Sequence, residues 1–172
     1  MADNIAPVQS QHIKVGIVTG LAVCLCFLAV YKSGIDTKYP ASQFLFAFVF
    51  ALGLAVNGFI FGKINGYQVS FGQAFSNSFK AGLIITLFWV AYDVISLYAF
   101  PEIKQSQIDR MEAEKVIHST KMTNQEIDKS IADFKAHYHT MLLQVTVFWS
   151  LIINASSSVM GGMMATMRKR IA

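Results

Sequence analysis

The stretch FLFAFVFALGLAVNGFIF, residues 44–61, decides the fold. It carries no charged side chain and one strongly polar one, Asn57. As a helix it covers about 27 Å, close to the roughly 30 Å hydrocarbon core of a bilayer. In lipid each backbone N–H and C=O has to be satisfied within its own segment, so such a run is a helix. Three more apolar runs flank it, at residues 15–31, 81–100 and 141–164. Together they predict an all-α integral membrane protein with four transmembrane helices.

Composition agrees. Charged residues make up 14% of the chain, against about 25% in soluble domains. A length of 172 residues fits one membrane domain over residues 1–172. The first run starts after a polar, proline-containing tail and is followed by Lys32, Ser33 and Gly34, with no Ala-x-Ala-like cleavage site. It reads as a retained span rather than a signal peptide. Cys24 and Cys26 lie in that span at i and i+2, pointing to different sides of a helix, and are not expected to bridge.

Charge placement orients the spans. With four crossings both termini share one side, which holds Lys14, Lys63, Lys80, Arg168, Lys169 and Arg170 in short flanking segments. The other side holds Lys32 and Lys38. The positive-inside rule then puts both termini in the cytoplasm. Arg168, Lys169 and Arg170 are suited to anchoring the last helix at anionic lipid headgroups. The basic residues form no nucleic-acid patch.

Between spans two and three, Asn65-Gly66 predicts a turn, with Ser70 as the cap of the next helix. Phe71, Phe75 and Phe79 then recur every four residues, an aromatic face suited to lipid or to a partner at the membrane surface. Residues 101–140 predict an extramembrane helical hairpin between helices 3 and 4. Its first arm opens on Pro101, tolerated in a first helical turn. That arm rests on its Glu, Gln, Lys and Ala content, since Ile108 and Met111 share a face but Ile103 and Val116 fall off it. Thr123-Asn124-Gln125-Glu126 is a capping box. Ile127, Ile131, Phe134 and Tyr138 share the face that follows, and no breaker separates this arm from the fourth span.

Small residues recur at four-residue spacing in three spans: Gly16 and Gly20, Gly58 and Gly62, and Ser157/Ser158 with Gly161/Gly162. Such spacing lets helix backbones approach closely, within the chain or between subunits. The strongly polar intramembrane residues are Asn57, Asp93, Gln144 and Asn154. Asn57, Gln144 and Asn154 suit hydrogen bonds between helices. Asp93, near the outer end of its span, is a structural hydrogen-bonder to Gln144 or His139, a side chain snorkelling beside Tyr92 and Tyr98, or a group that handles protons or ions. Asp133 and His137 share a helix face, but a metal site would need a third ligand such as His118; surface pairing is the simpler reading. No phosphate loop, nucleophile elbow, His-Glu-x-x-His or Cys-x-x-Cys is present, and no cofactor is expected.

Gly66, the stretch Ser70-Phe71-Gly72-Gln73-Ala74-Phe75, the Phe100-Pro101-Glu102 end of the third span, the helical hairpin and the basic end resemble the domain of unknown function 4199 family. Phe100 departs from the acidic residue that precedes the proline in that family. The resemblance covers residues of about 15–170 and implies small four-helix inner-membrane proteins of Bacteroidota without assigned biochemistry. It also implies a gene neighbourhood with a membrane-associated glycosyltransferase, a candidate partner. The sequence therefore predicts a non-enzymatic membrane subunit that assembles with itself or with another membrane protein. A small transporter or channel using Asp93, Asn57 and Asn154 is the alternative, and an intramembrane enzyme comes third.

Overall fold

A computed structural model describes residues 10–33, 40–118 and 123–167. Five helices follow one another: α1 (Gln11–Lys32), α2 (Pro40–Ile64), α3 (Phe71–Ala99), α4 (Pro101–His118) and α5 (Asn124–Thr166). The described residues are helical throughout, apart from short turns. Four helices are long and apolar enough to cross a membrane: α1, α2, α3 and α5. Each outruns the apolar segment read from sequence, because polar residues at the ends continue the hydrogen-bond ladder.

Helix ends follow from local chemistry. α2 stops where Gly66 (φ +58°) and Tyr67 (φ +59°) take left-handed backbone. The Tyr67 N–H donates to the Gly62 carbonyl at 2.7 Å and the Gly66 N–H to the Lys63 carbonyl at 3.2 Å, closing the exposed carbonyls of the last turn. Asn65 Nδ2 donates to the Phe61 carbonyl at 2.8 Å. α3 opens on a reciprocal cap: the Ser70 N–H donates to Gln73 Oε1 (2.9 Å) and the Gln73 N–H to Ser70 Oγ (3.3 Å). Thr123 and Glu126 do the same for α5, at 2.8 and 3.3 Å.

The chain divides into two compact units, Met1–Trp89 with Phe148–Ala172, and Val90–Val147. The first contains α1, α2, the opening of α3 and the closing part of α5. Val23, Phe50, Leu54, Ala81 and Ile85 form its core, with Phe27, Val49, Trp89 and Ile153 against them. The Phe27 ring stacks on Phe46 at 3.6 Å between centroids. A second cluster, Phe61, Val69, Ala74 and Ala165, fills the end near the α2–α3 turn. Large apolar side chains such as Val18, Leu25, Phe44, Phe48 and Leu87 stay exposed, the surface a lipid-facing helix presents.

In the second unit, α4 and the start of α5 bury Ile108, Ile127, Ile131 and Tyr138. Ile103 is half-buried. The side chains of Met111, Val116 and His118 lie outside the described residues, as do residues 34–39 and the basic end Arg168, Lys169 and Arg170. Lys104 Nζ sits 5.6 Å over the Tyr138 ring, and Phe134 meets that ring edge-on at 5.4 Å.

Candidate functional site

In the first unit four helices bring polar side chains together. Asn57 of α2 is fully buried, and its Nδ2 donates to Asn77 Oδ1 (2.8 Å) and Ser78 Oγ (3.4 Å) on α3. Gln11, the first residue of α1, donates from Nε2 to the Asn57 carbonyl at 3.4 Å. Asn154 of α5 donates to the Phe79 carbonyl at 3.2 Å and accepts from Ser158 Oγ at 3.1 Å. Each such bond between helices in lipid contributes roughly 0.6–2 kcal/mol. Gln11 Oε1 and Asn57 Oδ1 are buried without a partner among the described residues, so the cluster retains capacity to accept a donor.

Glycines make these approaches possible. A Cβ on Gly58 would run into the Gly161 backbone, and one on Gly62 into the Ala165 carbonyl at 2.7 Å. A Cβ on Gly16 would meet Ile84 at 2.8 Å, and one on Gly20 the Phe88 ring at 2.8 Å. Gly82 lies against the Asn154 amide and Gly161 against Ser78. Ser158 is fully buried, and Gly162 is covered by the Phe71 ring. These small-residue faces all close on helices of the same chain.

Asp93 belongs to the second unit. Its carboxylate accepts a hydrogen bond from the Thr146 hydroxyl, and both residues are buried. Ser96 Oγ donates to the Asp93 carbonyl at 2.8 Å. The expected partners are replaced: Gln144 and His139 are exposed, and Thr146 takes the place assigned to them. Gln144 and Thr146 stand two residues apart, roughly 200° around a helix, so they face opposite ways.

Gln144 instead lines an open groove of about 660 Å³ along α5 with Glu126, Lys129, Asp133, Phe134 and His137. His137 Nδ1 lies 3.0 Å from the Asp133 carbonyl, so the local pairing is to backbone rather than to the carboxylate. Among the described residues no three His, Cys, Asp or Glu side chains converge on a common point. The Phe71, Phe75 and Phe79 rings stack in a ladder with centroids 6.2 and 5.9 Å apart; Phe71 is exposed, and the other two are half-buried. Neither Cys24 nor Cys26 is in a disulfide.

Gln11, Asn77 and Ser78 escaped the sequence reading because they precede the apolar runs at 15 and 81. The Ser70 cap already places Asn77 and Ser78 in the helix that leads into the third span; what the sequence does not show is that they turn toward Asn57. Thr146 escaped because one hydroxyl in an apolar run is common and its partner sits on another helix.

Four long apolar helices joined through buried amides and glycine backbone define an all-helical membrane-spanning protein. The family described as Protein of unknown function (DUF4199) matches residues 14–168, and the chain belongs to that family. No curated protein and no solved structure matches it.

Proposed function

We propose that the chain is a non-enzymatic membrane subunit, a helical anchor that assembles with itself or with another membrane protein. The observation that carries this reading is the use made of the buried polar side chains. Asn57, Asn77, Ser78, Asn154 and Ser158 bond across or along helices, and glycine backbone closes on them. That arrangement suits holding helices together better than turning over a substrate.

Since the glycine faces meet helices of the same chain, this reading assigns the partner surface elsewhere, to the exposed arm of α5. There Glu126, Lys129, Asp133 and His137 present both signs of charge along one groove. α5 is an uninterrupted helix of 43 residues, about 65 Å long, twice the hydrocarbon thickness. That length supports a hairpin of α4 and the start of α5 outside the membrane. The basic flanks support both termini in the cytoplasm of a bacterial inner membrane, with the end at Arg168–Arg170 on lipid headgroups. A membrane-associated glycosyltransferase is the first partner to test.

Purification in mild detergent followed by native mass spectrometry tests the reading. A second copy or a co-purifying membrane protein is expected, and Lys129→Glu with His137→Glu should weaken it while the chain still inserts. A strictly monomeric, partner-free species across several lipids would overturn the proposal. The burial of Asp93 favours the transporter as a second reading. Full expression of Asp93→Asn with complete loss of a cellular phenotype would put that reading ahead.

A further inference from the structure

Four of the eight methionines in the chain fall in residues 160–167, at the end of α5. Met160, Met163 and Met164 stand on the helix and Met167 on the turn that follows it. At 100° per residue their directions are about 0°, 300°, 40° and 340°, an arc of roughly 100°. The structure leaves all four exposed, between 37% and 59%. The opposite face is clamped: Gly161 lies against Ser78, Gly162 under the Phe71 ring, and Ala165 against Gly62. The backbone that carries the thioethers is therefore fixed, and the side chains point outward together.

Contact with lipid does not by itself call for sulfur. Elsewhere the large exposed apolar residues of this unit are Ile, Val, Leu and Phe, with one Trp. What a thioether adds is a soft, neutral, polarisable donor on a side chain with three rotatable bonds. Residues three and four apart on a helix have Cβ atoms about 5–6 Å apart. Met160 stands in this relation to both Met163 and Met164, and so does Met167. Met163 and Met164 are consecutive, about 100° apart, so each triplet, the pair with Met160 or with Met167, closes through the reach of their flexible thioether side chains. Zinc takes thiolate and imidazole, and hard cations take oxygen, whereas thioethers select Cu(I). The stripe also stands at a helix end, where a monovalent ion is less costly than at mid-membrane.

We infer that the Met160–Met163–Met164–Met167 face binds Cu(I) through three thioether sulfurs, with Met163 and Met164 common to either triplet. Binding exchanges solvent or buffer ligands for sulfur and involves no change of oxidation state.

The test uses the full-length protein in lipid nanodiscs, under anaerobic reducing conditions, titrated with Cu(I) against a chromophoric chelator. One Cu(I) per chain with a sulfur-only coordination shell by X-ray absorption is expected. The Cys24→Ser/Cys26→Ser variant should keep it, and the Met163→Leu/Met164→Leu variant, apolar and helix-favouring, should lose it. In the wild-type chain, Ag(I) should slow peroxide oxidation at these four methionines relative to Met141, read by mass spectrometry. Failure to hold Cu(I) against the chelator, equal binding in the methionine variant, loss in the cysteine variant, or no Ag(I) protection would each overturn the inference.

Discussion

Replacing Gly58 with alanine tests the seam between α2 and α5. The added methyl carbon would lie 2.5 Å from the Gly161 Cα, and closer still to the Gly161 carbonyl. Carbon atoms pack best at about 3.5–4.0 Å, so one helix has to retreat by about 1 Å. The obstacle is backbone, which has no rotamer to give. A gap of that size forfeits roughly a quarter to a half of the attraction in each contact it opens. Those contacts include Gly62 against Ala165 and Gly161 against Ser78 and the Leu54 carbonyl. Forced overpacking costs about 1–3 kcal/mol, and this geometry belongs at the upper end. Unfolding in mixed micelles by titration with a denaturing detergent, followed by far-UV circular dichroism, reads the change as a lower midpoint. Gly72→Ala is the control, since nothing lies within 4 Å of its new methyl. On an exposed helical position that change is stabilising by up to about 1 kcal/mol. A Gly58→Ala midpoint equal to wild type, or equal damage from both variants, would refute the packing argument.

Other substitutions probe the caps and Asp93. Asp93→Asn keeps an acceptor for the Thr146 hydroxyl and should shift the unfolding midpoint little, whereas Thr146→Val strands a buried carboxylate and should cost about 1–3 kcal/mol or more. Ser70→Ala removes the hydroxyl that caps α3 and should cost about 1 kcal/mol in the same assay. Hydrogen bonds from the Thr123 backbone and hydroxyl hold the Glu126 carboxyl below its ordinary value of 4.5. Because the folded value is the lower one, this contribution is complete above the unfolded value and disappears as pH falls through the folded one. Amide protection in the first turn of α5, the observed exchange taken against the intrinsic rate at each pH, should therefore fall on acidification, and Glu126→Gln should abolish that fall.

Hydropathy was enough to find the four long helices, since each contains a run that water would not tolerate. Turn chemistry was equally readable: Asn65-Gly66, Ser70 and Thr123 end or start helices because their side chains or backbone freedom match local hydrogen-bond needs. Facing was not readable. α2 is apolar on all sides, so nothing in its pattern says that Phe46 and Phe50 turn inward while Phe44, Phe48 and Phe59 turn out. Polarity alone misled at Gln144, which is exposed, and overlooked Thr146, which holds Asp93. The small-residue spacing picks out Gly16, Gly20, Gly58 and Gly62, where a Cβ would meet a neighbouring helix. It left the partner open, which only the three-dimensional path of the chain decides.

The meeting of Gly58 with Gly161 has a thermal consequence. Neither residue has a side chain to immobilise, so closing the seam surrenders no rotamer entropy there. In lipid the apolar groups leave an environment as oily as the one they enter, so the solvent entropy that drives soluble cores is missing as well. What remains is van der Waals contact, hydrogen bonding between helices and the entropy of displaced lipid, without the water term that fades on cooling. A soluble core weakens on cooling as its hydrophobic driving force fades; this seam keeps its grip in the cold.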